Sequence, residues 1–145
     1  MSEERQLTEL TRAECLSLLG TISLGRLMFT LEALPAIRPV SHIVDDGNVI
    51  IRSHLGAAVA GVAQQADGAV VGYEADTIDP QTHVGWSVVI TGVARLVTDP
   101  AQVAGYQREL RQWRTGESDY VISVSPELVS GFRLDLPTAP AADAN

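Results

Sequence analysis

The sequence predicts a mainly β fold, an antiparallel β-barrel of six or seven strands with short helices covering its ends. Three observations predict it. Apolar, β-branched segments of strand length recur along the chain, bounded by Gly, Pro, Asp and Asn. Consecutive strands are joined mostly by hairpin-type connections. Helical spacing is confined to three short stretches, without the regular strand–helix alternation of a doubly wound sheet.

The elements follow in order. Residues 1–10 form a polar segment. Thr11 to Glu14 reads as a capping box that opens a helix through Leu16 and Leu19, with Gly20 placed to end it. Ile22–Thr30 reads as a strand whose apolar character is interrupted at Gly25 and Arg26. Ala36–Val44 is a second strand, and Pro39 inside it implies an edge position or a bulge. The turn Asp45-Asp46-Gly47-Asn48 joins it to Val49–Ser53 as a hairpin.

Leu55–Gln65 carries Leu55, Val59 and Val62 at helical spacing, with alanine between them. Ala69–Ala75 and Gly85–Val97 are strands, the second being the longest. Asp99-Pro100 is an N-cap followed by proline at the first helical position, opening a helix to about Gln112. Tyr120–Val124 and Val129–Leu134 read as two closing strands. One domain spans residues 11–135, and 136–145 reads as a disordered proline–alanine tail.

Composition narrows the function. The net charge of −8 repels nucleic acid and anionic membrane over most of the surface. All ten bases are arginine, so a lysine Schiff base to pyridoxal phosphate and a Walker-type phosphate loop are both excluded. Cys15 is the only cysteine, which excludes an intrachain disulfide, an iron–sulfur cluster and a multi-cysteine zinc site. Its place between apolar helical positions reads as a buried, inert thiol. No apolar run is long enough to span a bilayer and the polar start is no secretory signal, so the expected location is cytoplasmic.

Hydrolytic chemistry has little support. His42, His54 and His83 lack metal-ligand spacing, and no G-x-S-x-G elbow occurs. Asp76 and Asp79 flank a loop and read as solvated acids rather than calcium ligands. The stretch Ile50–Val59 is more informative. An apolar strand ends in Arg52, Ser53 and His54, then turns at Gly56 into a helix. A cation, a hydroxyl and a helix N-terminus in that order suit an anion such as a phosphate; solvated polar residues at a strand end are the plainer reading.

Four segments in sequence carry a resemblance: RPVSHIV (Arg38 to Val44), IIRSHLGAA (Ile50 to Ala58), VGYEAD (Val71 to Asp76) and GWSVVITGVARLV (Gly85 to Val97). In this order and spacing the chain resembles the pyridoxamine 5'-phosphate oxidase-like superfamily of flavin-binding split barrels, closest to small actinobacterial proteins. The resemblance runs from Thr11 to Leu134.

It implies a homodimer with two sites at the subunit interface, filled by FMN or by a deazaflavin. Arg38, Pro39 and Val40 would line the isoalloxazine edge, and Arg52 and Ser53 would reach the ring or phosphate. Gly56, Ala57 and Ala58 would form the phosphate turn, while Trp86 and Ser87 of the partner subunit would close the ring side. Read from the residues alone, Trp86 is equally a core or dimer contact, and Trp113 is a packing anchor.

The chain departs from the family pattern after Gly56. There the family commonly carries a small hydroxyl residue and then a lysine on the phosphate; this chain has Ala57 and Ala58. The charge-assisted contact so lost is typically worth about 1.5–3 kcal/mol. The expected function is a flavin-dependent oxidoreductase acting on a small-molecule substrate. The alternatives are a protein that sequesters a deazaflavin, tetrapyrrole or haem, and a cofactor-free scaffold.

Overall fold

Alternation of burial along the strands builds a closed barrel. The computed structural model describes residues 4–53, 68–110 and 120–137. Its strands are β1 (Gln6–Glu9), β2 (Leu24–Leu31), β3 (Leu34–Asp45), β4 (Asn48–Ser53), β5 (Ala69–Asp76), β6 (Gly85–Leu96) and β7 (Tyr120–Asp135), with helices α1 (Arg12–Leu19) and α2 (Pro100–Glu109). They pair antiparallel in the order β1-β7-β4-β3-β2-β5-β6, and β6 pairs back onto β7 to close the barrel.

Because side chains alternate across a strand, every second residue enters one interior. Leu27 and Phe29 of β2, Tyr73 of β5, Val88 and Ile90 of β6 and Ile51 of β4 share that core. Helix α1 packs against it with Cys15 and Leu19, both fully buried. The predicted capping box is present: Glu14 N donates to Thr11 Oγ1 at 3.2 Å, and Thr11 N donates to Glu14 Oε1 at 2.8 Å. Gly20 ends the helix in a right-handed conformation, so it is not used for positive φ.

Helix α2 lies on the outside. Its Val103 and Tyr106, with Leu110, cover Ile50 and Val121, the outward residues of β4 and β7. Asp99 caps it by accepting from Gln102 N at 3.0 Å, as predicted, and the helix ends at Glu109.

Several elements differ from expectation. The polar start contributes β1, held by backbone pairing of Gln6–Glu9 with Phe132–Asp135. The two closing strands are one strand of 16 residues, β7. A register shift opposite Thr91 and Gly92 leaves Glu127 as an extra residue, and this bulge carries β7 past Pro126. Gly92 permits it, since a side chain there would overlap the Ser125 backbone. The helix expected over Leu55–Gln65 and the tail from residue 138 lie outside the described residues.

Among the described residues Pro39 occupies an edge, not a bulge. The β2–β3 register is continuous across Arg26↔Pro39, while β4 pairs only with Ser41–Asp45. Pro35 and Pro39 together leave that open stretch of β3 with two fewer donors, which blunts it against strand addition. Among the described residues, no helix is long and apolar enough to cross a membrane.

Candidate functional site

The strand pleat sorts the sequence-predicted residues onto two surfaces. On β3, Val40 is buried in the core, and Arg38 lies on the same inner face, opposite Leu27. Its guanidinium sits 5.9 Å from the centre of the Phe29 ring, and its Nη1 donates to Ile37 O at 2.9 Å. Pro39 between them faces outward, beside Arg26.

On β6 the same rule separates Trp86 from Ser87. Trp86 is buried in this chain's core, opposite Arg133. Ser87 faces outward between Asp76 and Phe132. Adjacent residues of one strand cannot both present side chains to one face of a ring, so only Ser87 is on the outer surface. Trp86, Val88 and Ile90 together fill the barrel.

Arg52 is tied to α2. Its Nη1 donates to Gln107 O at 2.7 Å and to Leu110 O at 3.0 Å, the carbonyls at the helix C-terminus. Both acceptors sit at the negative end of the helix dipole, so a guanidinium there is favourable. Ser53 is the last residue of β4, paired with Tyr120. Gly56, Ala57 and Ala58, the predicted phosphate turn, lie outside the described residues, as do His54 and Trp113.

Two of the clefts on the described surface bear on the site. One, of about 270 Å³, is lined by Leu7, Glu9, Ser87, Val89, Ser130 and Phe132. Its apolar walls with two serine hydroxyls suit a flat heteroaromatic ring with a polar edge. The other, of about 440 Å³, lies between the segment after α1 and the end of β3, with Thr21, Ser23, Asp45 and Glu109 at its border.

Behind the second cleft is a buried polar pair. His42 Nε2 lies 2.9 Å from Leu19 O, so that nitrogen carries the proton, and Nδ1 accepts from the Tyr73 hydroxyl. Both side chains are fully buried and their rings meet edge to face, centroids 5.1 Å apart. Burial holds the His42 imidazole below its ordinary range, and burial followed by the charge of Glu74 pushes the Tyr73 phenol up. The pair is therefore neutral.

A further polar group lies on the outer face of β5, where Asp76, read from the sequence as a solvated acid beside Asp79, is instead grouped with Glu74. Glu74 pairs with Arg26 at 3.2 Å, and Asp76 follows two residues on, with the same facing. Burial and then Asp76 push the Glu74 carboxyl up to about 7, against the opposing pull of Arg26. The signal was present in VGYEAD: alternate acids on a strand share a face.

A six-stranded antiparallel barrel closed by β6 on β7, helix-capped and with half of β3 unpaired by β4, defines the split-barrel class. The chain belongs to the pyridoxamine 5'-phosphate oxidase family, whose model matches residues 11–133. It is 51% identical over 132 residues to the uncharacterized protein Rv0080 of Mycobacterium tuberculosis, covering 90% of this chain and 87% of that one. Among solved structures it resembles a Corynebacterium glutamicum protein provisionally named a pyridoxamine 5'-phosphate oxidase. There the TM-score is 0.75 and the identity 26%, over 96% of this chain and 99% of that one. It also resembles a FAD binding protein of Mycobacterium smegmatis, with TM-score 0.69 and 32% identity, over 90% of this chain and all of that one.

Proposed function

We propose that this chain is a flavin-nucleotide-binding homodimer with its sites where two copies meet, and that it acts as an oxidoreductase. One observation carries the reading. The resemblance assigns ring contacts to both β3 and β6, but in the sheet order β2 and β5 lie between them. Three interstrand spacings of about 4.8 Å separate the two strands by roughly 14 Å along the sheet. β3 of one copy and the Ser87 groove of another can meet across an interface. The FAD-binding relative and the family membership support a flavin as the occupant.

On this reading the Ser87 groove receives the ring, with Leu7, Val89 and Phe132 excluding water and Ser87 and Ser130 directing its polar edge. Pro39 and the residues beside it approach from the other copy. A bound flavin supplies the electron or hydride chemistry; the chain's residues hold it and shield it. The outer face around the groove also carries Leu24, Val70 and Leu128, each at least half exposed, and a second copy would cover them. Such an interface is expected to bury more than about 1,000 Å² in total. The expected location is the cytoplasm.

The absorption spectrum of freshly purified protein tests the occupant, together with titration of FMN, FAD and a deazaflavin. Flavin bands, or flavin binding with a dimer mass by light scattering, are expected. Bound flavin that is never reduced by nicotinamide donors would favour a sequestering protein. Failure of all three ligands to bind at up to about millimolar concentration would overturn the flavin reading.

A further inference from the structure

The Glu74–Asp76 pair sits in the middle of the outer face that the proposed dimer covers, and the inference drawn from it rests on that reading. The strand period places both residues on one face of β5, their Cα atoms roughly 7 Å apart, and their two carboxyl groups come within hydrogen-bonding reach of each other. Arg26, opposite Glu74 on β2, is the cation facing them. The neighbours on the other side are uncharged: Ser87 opposite Asp76 and Val89 opposite Glu74 on β6, then Ser130 and Phe132 on β7. On β3 the residue beside Arg26 is Pro39, and the Arg38 side chain belongs to the inner face. Glu9 borders the groove from β1 and adds a further negative charge, while Arg95 lies far along β6 from the pair.

The surroundings are apolar and half covered. Val70, Val89 and Leu24 are exposed around the pair, whereas the Glu74 side chain is already only 22% exposed within one chain. Two carboxylates with one arginine leave one negative charge in excess. Covering that charge with an apolar surface disfavours its ionised form. In a two-fold dimer the excess occurs twice.

We propose that the Glu74–Asp76 pair makes association of two copies on this face proton-linked, so that the dimer tightens as the pH falls through neutrality and loosens above it. Each copy takes up a proton on the pair when it is covered, and releases it on dissociation. The Glu74 carboxyl is the acceptor, being the more buried of the two and the one next to the apolar Val89.

Sedimentation of the full chain between about pH 6 and about pH 8.5 measures the linkage. The wild-type dissociation constant is expected to rise about tenfold or more across that range. Glu74→Gln, which keeps the shape and removes the ionisation, is expected to give a dimer of nearly constant affinity. Asp76→Asn keeps Glu74 but removes its acidic neighbour, and is expected to shift the wild-type transition to lower pH. A wild-type dimer whose affinity is flat across the range would overturn the proposal and leave the interfacial site standing. The same holds for a Glu74→Gln dimer that keeps the wild-type slope. A wild-type chain that is monomeric at every pH would overturn both.

Discussion

The ring of Tyr73 fills the space that a side chain at residue 25 would occupy. A Cβ added to Gly25 would overlap the phenolic oxygen and Cζ, and would lie 2.7 Å from Cε2. That void on β2 lets the β5 tyrosine reach His42. Gly25→Ala is therefore expected to destabilise the fold by about 1–3 kcal/mol, read by urea denaturation. Tyr73→Phe should not relieve the clash, since the ring carbons remain, whereas Tyr73→Val should relieve it in part. Full additivity of Gly25→Ala with Tyr73→Val would contradict the contact.

Stability should depend on pH through two groups of opposite sign. His42 is held below its ordinary value of 6.5, so its contribution is complete above about pH 6.5 and is lost as the pH falls. Glu74 is raised from 4.5 to about 7, so its contribution is complete below about pH 4.5 and is lost as the pH rises through about 7. Between the two ordinary values the slopes oppose each other. Glu74→Gln is expected to stabilise the chain above pH 7 by about 1 kcal/mol, after allowance for partial solvent screening. It should also steepen the rise in stability from about pH 5 to about pH 6.5. Denaturation profiles of variant and wild type that superimpose would rule this out.

Arg52→Ala removes both donations to the end of α2. A charged donor to two carbonyls in a part-buried setting is expected to contribute about 1.5–3 kcal/mol. The melting temperature of flavin-free protein should fall accordingly, and Arg52→Lys should restore part of it because an ammonium is shorter but still cationic. An unchanged melting temperature would show that the helix end does not depend on Arg52.

The β2–β3 hairpin turns on Glu32 and Ala33, with φ of 53° and 65°. Side-chain-bearing residues adopt such values at a cost, whereas Asn and Gly suit them. The double substitution Glu32→Asn, Ala33→Gly is expected to stabilise the protein by about 1 kcal/mol, measured by thermal melting. The neighbouring hairpin is the control: Asp46 and Gly47 already supply the turn, at 51° and 77°, so Asp46→Asn should change little.

That contrast shows which parts of the fold were legible. Asp46-Gly47, the Thr11–Glu14 box and Asp99-Pro100 announce themselves because their side chains make the local structure. Glu32-Ala33 carries no turn chemistry and is bent by the strands on either side. β1 was invisible for a related reason: exposed polar residues held by backbone pairing leave no apolar signature. Pro126 broke the reading of β7 because a bulge, not the local sequence, accommodates it.

The candidate site was legible in outline only. Its described residues lie on β3, β4 and β6, and strand period assigns Ser87 to the surface and Trp86 to the core. That separation needed only the alternation of Gly85 to Leu96. Arg52 is different in kind. Nothing within Ile50–Val59 tells that a helix more than fifty residues later ends beside it, so a long-range carbonyl acceptor could not be read from the local pattern.

β7 is hydrogen-bonded to β6, β4 and β1 at once, and it lies later in the chain than all three. During synthesis the first half of the molecule emerges with β4 and β1 lacking their shared neighbour, and β6 with one edge unmatched. Ring closure therefore waits on a single late segment, and the nascent chain passes through a stage with several open edges. Contacts between residues so distant in sequence also slow the search for the native pairing. A ribosome-bound chain stalled before residue 120 should be the form most prone to misassociation and most dependent on chaperones.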